Sequence, residues 1–374
     1  MKKILFFAFM LLITKAHSQS TNDILNLMIS NKSITREQAD SLRADAAIKQ
    51  QDVEANKKSF QVSAARLLQI SGYTQIRYQE LDEKGKNNGF DIRRARLDFA
   101  GNFTPYLSYR LMADFAASPK LMDAYAEIKI RDYFNITIGQ FKVPFSAENL
   151  TPVRKFELID FSQAVEALVL RAKDVIGNQN GRDIGIQLGG TLLKNGANNL
   201  IEYRIGVFNG SGINVADTAN EAKDIIGRLV VNPLKGLSVG ASYYNGWDKA
   251  IKPAPAYIGR SQLHNRFGME ISYTTTRLLL RGEYIQGKDA RTEKAGWFAL
   301  AGYYIIPQKL QVVFKYDTYD PDTSKDLNIS TNYVEGVNYN FNSWSRIQAF
   351  YTIRVEQGPK INNNFLSVQY QIGF

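Results

Sequence analysis

From Leu68 to the C-terminal Phe374 the side chains alternate between apolar and polar, segment after segment, and this period of two constrains the fold more than any other feature. Successive side chains of a β-strand face opposite sides of the sheet, so alternation gives each segment one apolar and one polar face. Leu68, Ile70, Gly72, Thr74, Ile76 and Tyr78 form one face, and Gln69, Ser71, Gln75, Arg77 and Gln79 the other. The same rule sets Leu107, Tyr109, Leu111, Ala113 and Phe115 against Ser108, Arg110, Met112 and Asp114. It also sets Ile347, Ala349, Tyr351, Ile353 and Val355 against Arg346, Gln348, Thr352 and Arg354. A soluble sandwich alternates too. Here the segments run to about ten residues, with charges on the polar faces and Tyr, Leu, Ile and Val on the apolar ones, which fits a wall between lipid and a water-filled lumen. Division at turn residues gives about 16 segments, an even number, and a barrel of that size keeps an aqueous channel. The fold class expected is therefore all-β: a transmembrane antiparallel β-barrel of about 16 strands, preceded by a short N-terminal helical segment. Short connections at Thr104 and Pro105, Asn232 to Gly236 and Ile306 to Lys309 alternate with longer ones at Gly210 to Lys223 and Trp247 to Gln262. The short ones should face the periplasm and the long ones the exterior.

Composition removes competing classes. Beyond the N-terminus no run approaches the roughly 20 apolar residues of a spanning helix. Cysteine is absent and only 2 histidines occur, so disulfides, thiol chemistry and His-rich metal sites are excluded. The net charge of +10 is scattered among 36 acids without a recognisable motif, and nucleic acid is not an expected partner. Asp320, Asp322 and Asp326 lack the glycine and terminal glutamate of a calcium loop, and His264 reads as a loop residue. No nucleophile, metal or acid–base constellation stands out, so neither enzymatic activity nor a cofactor is expected.

Two segments precede the barrel. Lys2 and Lys3, the apolar stretch Ile4 to Ile13, and the small residues Ala16 and Ser18 spell a signal peptide over residues 1–18, too short for a membrane anchor. Residues 19–67 read as a periplasmic helical segment: Ile24, Leu25 and Met28, and later Ala39, Leu42 and Ala46, recur at helical spacing. Thr35 with Gln38 three residues on forms a capping box that should open the second helix. Its role is either oligomerisation or cell-wall contact, or that of a passive spacer.

Within the barrel, residues 68–374, one connection stands apart. Pro144 to Gly181, between the fifth and sixth strands, exceeds ordinary loop lengths. It contains Phe156, Leu158, Ile159, Phe161, Leu168 and Leu170, too apolar for a disordered external loop, so it is expected to fold inward as a constriction. The last segment alternates from Leu366 to Phe374, and a closing strand with a terminal aromatic matches the assembly signal of outer-membrane barrels. Phe374 is the candidate for that role.

Three motifs in order make the resemblance specific: Phe90-Asp-Ile-Arg-Arg94-Ala-Arg96-Leu97, Gly139-Gln-Phe-Lys142-Val-Pro144-Phe-Ser-Ala-Glu148, and Arg182-Asp183-Ile-Gly185. Together they resemble the phosphate-selective porin O and P family, over roughly Leu68 to Phe374. The resemblance implies a 16-stranded, trimeric, anion-conducting pore of the outer membrane, in which wall arginines and basic residues near the inward loop guide anions. Arg94, Arg96, Lys142 and Arg182 occupy the matching positions. The loop departs from the family in carrying Glu157 before Leu158, where a Glu-Arg pair is common.

Strand parity independently turns Arg94 and Arg96 inward, with Arg110 on the neighbouring strand, and leaves Arg93 on the opposite set, at the rim or at a bulge. Arg154, Lys155 and Arg171 add basic character on the loop. Inward cations in a confined passage favour anions, yet Asp98, Asp114, Asp123, Glu127, Glu202, Glu270, Glu283 and Asp317 also face inward and could pair with them. The expected function is passive diffusion of small anions such as phosphate. The expected partners are outer-membrane lipid, the barrel assembly machinery, two further copies in a homotrimer and small anionic solutes. A non-selective porin and a structural or adhesive barrel are the alternatives.

Overall fold

The structure is a computed structural model, which describes residues 21–36, 38–40, 42, 67–82, 88–170, 180–195, 198–216, 222–249, 261–359 and 361–374. The signal-peptide segment and Arg171 lie outside the described residues. The chain divides into two units, Met1–Ala65 and Arg66–Phe374. In the first, α1 (Thr21–Ser30) precedes a turn, after which the Thr35 amide donates to Gln38 Oε1 at 3.0 Å and the Gln38 amide to Thr35 Oγ1 at 3.2 Å. This reciprocal cap satisfies two of the amides that open the helical turn at Arg36.

The second unit is a closed antiparallel barrel of 16 strands in sequence order. These are β1 (Gln69–Leu81), β2 (Gly89–Asn102), β3 (Leu107–Asp114), β4 (Lys120–Arg131), β5 (Phe134–Lys142), β6 (Arg182–Asn195), β7 (Asn198–Phe208) and β8 (Asp224–Leu234). The second half comprises β9 (Leu237–Lys249), β10 (Ser261–Thr274), β11 (Leu278–Asp289), β12 (Thr292–Ile306), β13 (Leu310–Asp320), β14 (Ser330–Asn340), β15 (Ser345–Glu356) and β16 (Phe365–Gly373). Closure comes from β1 and β16, paired from Tyr73 with Gly373 to Leu81 with Phe365. The amides of Gly72 and Phe374 each bond the other's carbonyl, at 3.2 and 2.9 Å, so no strand edge is left unpaired.

Even-to-odd connections are short, as at 103–106, 132–133, 235–236 and 307–309, and odd-to-even ones are longer except at 290–291 between β11 and β12. The short turns therefore share one end, which in such barrels faces the periplasm. The outer wall exposes its apolar set, with Ile76 43% and Ile92 58% accessible, which only a lipid surround accommodates. Among the described residues no helix is long and apolar enough to cross a membrane; the strands cross it. At Gly139 in β5 the backbone takes φ +129°, and a Cβ there would lie 2.2 Å from the Ala124 carbonyl oxygen. The β4–β5 approach beside the long connection thus requires glycine.

The inner face is not uniformly polar. On β11 to β15 the inward positions include Ile285, Phe298, Leu300, Val313, Val334 and Phe350, all buried in one cluster. These strands are apolar on both faces where something other than water covers the lumen side.

Candidate functional site: the loop inside the barrel

What covers that apolar wall is the connection between β5 and β6. Phe156, Leu158, Ile159, Ala164, Val165 and Leu168 bury themselves against it. Polar contacts trace the rest of the path. The loop turns at Ser146, whose hydroxyl caps α2 (Ala147–Leu150) by accepting from the Asn149 amide. The same hydroxyl donates to Glu283 on β11 at 2.6 Å, and the Glu148 amide bonds the other Glu283 oxygen at 2.5 Å. Further on, α3 (Gln163–Leu168) is entered through the Gln163 amide, which donates to both oxygens of Asp317 on β13 at 3.1 Å. The Glu157 carbonyl accepts from Asn338 on β14 at 2.8 Å and from Gln348 on β15 at 3.3 Å. The Arg154 carbonyl accepts from Gln371 on β16 at 3.2 Å, and Asp160 pairs with Arg93 on β2 at 2.6 Å. A segment that touches β2, β11, β13, β14, β15 and β16 runs through the lumen.

Glu148 is buried on this loop and accepts from the Ser162 hydroxyl at 3.0 Å and amide at 3.1 Å. Burial pushes its carboxyl up to about 7, because taking a carboxylate out of water penalises the charged form.

The basic residues separate into two groups. Most wall arginines have carboxylate partners: Arg96 with Asp114 at 2.8 Å, Arg110 with Asp98 at 2.8 Å, and Arg182 with Asp123 at 2.7 Å. Arg94 is buried and donates to Gln75 Oε1 at 2.8 Å. Lys142 does not present its ammonium to the passage alone: it donates to the carbonyls of Asn149 and, at 3.0 Å, Thr151, so it fastens the start of the loop. Arg154 and Lys155, on the 3₁₀ turn Val153–Lys155, are exposed, and among the described residues neither has an ion-pair partner. Arg204 on β7 is exposed in the same way.

Arg93 sits at a bulge. Gln75 pairs with Arg94 while Ile76 pairs with Ile92, so Arg93 is the extra residue and both consecutive arginines reach the lumen. A further correction concerns His264, which is no loop residue. It lies buried in β10 with Nδ1 2.7 Å from Asp289, the carboxylate that Arg266 and Lys294 also hold, at 2.8 and 2.6 Å.

Sequence reasoning missed one feature, a row of carboxamides beneath the loop. Gln369 donates to Gln348 at 2.9 Å, Gln348 to Asn338 at 2.9 Å, and Asn338 to Gln311 at 3.0 Å. A second row joins Arg94 to Gln75, Gln75 to Gln371 at 2.8 Å, and Arg346 to Gln371 at 3.2 Å. The signal was present in the amide residues at inward positions of β13 to β16, but register alone makes them neighbours.

Below the loop, toward the short turns, lies a cavity of about 540 Å³ between the loop and β1 to β7. Seven basic side chains line it (Arg96, Arg110, Lys142, Arg154, Lys155, Arg182, Arg204) against four acidic ones (Asp98, Asp123, Glu127, Glu202). A second cavity of about 410 Å³ lies on the other side, between the loop and β13 to β16.

Solved structures share this architecture at low identity. OmpF of Salmonella typhi, in complex with daunomycin, superposes with a TM-score of 0.62 at 12% identity, covering 82% of this chain and 97% of that one. A trimer form of OmpT, an outer membrane protein of Vibrio cholerae, gives 0.59 at 13%, covering 82% and 99%. The outer membrane channel DcaP of Acinetobacter baumannii gives 0.59 at 12%, covering 82% and 97%. No curated protein matches the sequence. The model of the family "Phosphate-selective porin O and P" matches residues 68–364, well over half of the chain. The chain therefore belongs to the phosphate-selective porin O and P family and is a β-barrel channel of the outer membrane.

Proposed function

We propose that this channel lets small anions, inorganic phosphate among them, diffuse passively across the outer membrane. The observation that carries the reading is the pair Arg154 and Lys155, two exposed cations without ion-pair partners among the described residues, on a loop held inside the lumen. In a narrow passage with low-dielectric walls an uncompensated charge acts over its whole width, whereas a charge already paired contributes little. Arg96, Arg110 and Arg182 belong to the second kind, so their part is chiefly to hold the wall. That pairing favours a second reading, a general diffusion pore with weak selectivity. The protein is further proposed to assemble as a homotrimer in outer-membrane lipid, after removal of residues 1–18 and recognition of Phe374 by the barrel assembly machinery. Residues 19–67 would serve as its periplasmic helical segment.

The test is the reversal potential of reconstituted channels across a salt gradient, in dilute electrolyte because screening lengths fall to about 10 Å at 0.1 M. Anion preference is expected, and Arg154→Glu with Lys155→Glu should shift it toward cations more than Arg96→Gln does. Cation preference in the unmodified channel, or no shift in the double reversal, refutes the proposal.

A further inference from the structure

The cavity beneath the loop has a composition that bare anion diffusion leaves unexplained. We infer that it is a binding site for organic carboxylates with an apolar body, in preference to inorganic phosphate; this rests on the anion-diffusion reading above and names the anion class.

An inorganic oxyanion leaves water only where several uncommitted donors converge to replace its hydration. The guanidiniums that converge here are already spent: Arg96 on Asp114, Arg110 on Asp98 and Asp123, and Arg182 on Asp123, at 2.8, 2.8, 3.5 and 2.7 Å. Lys142 is committed to loop carbonyls. The basic groups still available, Arg154, Lys155 and Arg204, are exposed, which suits a carboxylate head that keeps part of its hydration.

The rest of the lining mixes polar side chains, such as Ser71, Asn135, Thr137, Gln187 and Thr191, with carbon. Tyr73, Met112, Tyr125, Phe141, Leu150 and Val153 present apolar surface to the same space, and Tyr125 and Phe141 meet edge to face at 5.8 Å between ring centroids. A cavity of about 540 Å³ falls within the volume range of organic-ligand sites, about 300–1,000 Å³. Phosphate would fill only a small part of it. An arylalkyl carboxylate would set its head toward Lys155 and its ring against Tyr125 and Leu150, so the apolar surface adds affinity that phosphate cannot collect.

The experiment measures how each anion interrupts chloride current through single full-length channels in a planar bilayer, with 4-phenylbutyrate, acetate and inorganic phosphate as probes. Phenylbutyrate should half-saturate at a concentration at least about tenfold lower than phosphate, equivalent to about 1.4 kcal/mol, and acetate should bind no better than phosphate. Leu150→Gln should narrow the gap between phenylbutyrate and acetate, and Lys155→Gln should weaken phenylbutyrate severalfold. Phosphate binding as tightly as phenylbutyrate, or an open channel that neither anion interrupts, overturns the inference while leaving diffusion intact. Folded, heat-modifiable protein that conducts nothing overturns the diffusion reading, and this inference with it.

Discussion

Replacing Asp160 by Asn tests whether the loop is latched to the β1–β2 wall by charge. The Asp160 carboxylate accepts from Arg93 at 2.6 Å and lies 3.8 Å from Arg77. Arg77 keeps a second carboxylate, Asp91, bonded at 3.0 and 2.7 Å, so the loss falls mainly on Arg93, whose Nε is buried without a partner. A hydrogen bond between charged groups contributes about 1.5–3 kcal/mol, and stranding one partner costs more than removing both. Partial exposure of the Asp160 side chain, 34%, puts the expectation near the lower end, about 2 kcal/mol. The assay is a double-mutant cycle of Asp160→Asn and Arg93→Gln by reversible urea unfolding of the refolded barrel, with single-channel noise recorded alongside. The coupling should be about 2 kcal/mol, the double variant should be no less stable than Asp160→Asn alone, and the single variant should show noisier, larger openings. Additive effects, with coupling under about 0.5 kcal/mol, would refute the latch.

Loop anchorage should also depend on pH through Glu148. Its folded pKa of about 7 lies above that of an unfolded glutamate, so the protonated form stabilises the folded loop. That stability is fully present below about pH 4.3 and declines as pH rises toward 7. Glu148→Gln should flatten the dependence, read as unfolding midpoints between pH 4 and 8; an unchanged slope counts against burial as the cause. Deleting Phe374 should slow barrel assembly, because its amide and carbonyl both bond Gly72 across the closing seam at 2.9 and 3.2 Å. Heat-modifiable folding at the unmodified rate would contradict this.

Much of the barrel was legible because alternation is a local property: a strand between lipid and water must sort its side chains by parity, and Leu107 to Asp114 does so without reference to the rest of the chain. Strand number and the position of the long connection followed from the same local signal, and even the bulge at Arg93 left a trace as a residue out of phase. The inner apolar wall was less legible. Runs such as Trp297-Phe-Ala-Leu-Ala301 lose their alternation because both faces are covered, one by lipid and one by the loop, and a fully buried strand has no polar face to mark it.

The site itself divides along the same line. Sequence determined that Arg94, Arg96 and Arg110 face the lumen, since parity depends only on position within a strand. Only the tertiary structure decided which charges remain available there. Arg182 meets Asp123 from two strands away, Lys142 is taken up by the carbonyls of Asn149 and Thr151, and Arg154 and Lys155 stay exposed. Whether a cation is neutralised depends on a partner a few ångströms away in space but 12, 18 or 59 residues away in sequence. That distance is set by barrel register and by the path of the loop, and neither is encoded in the local pattern.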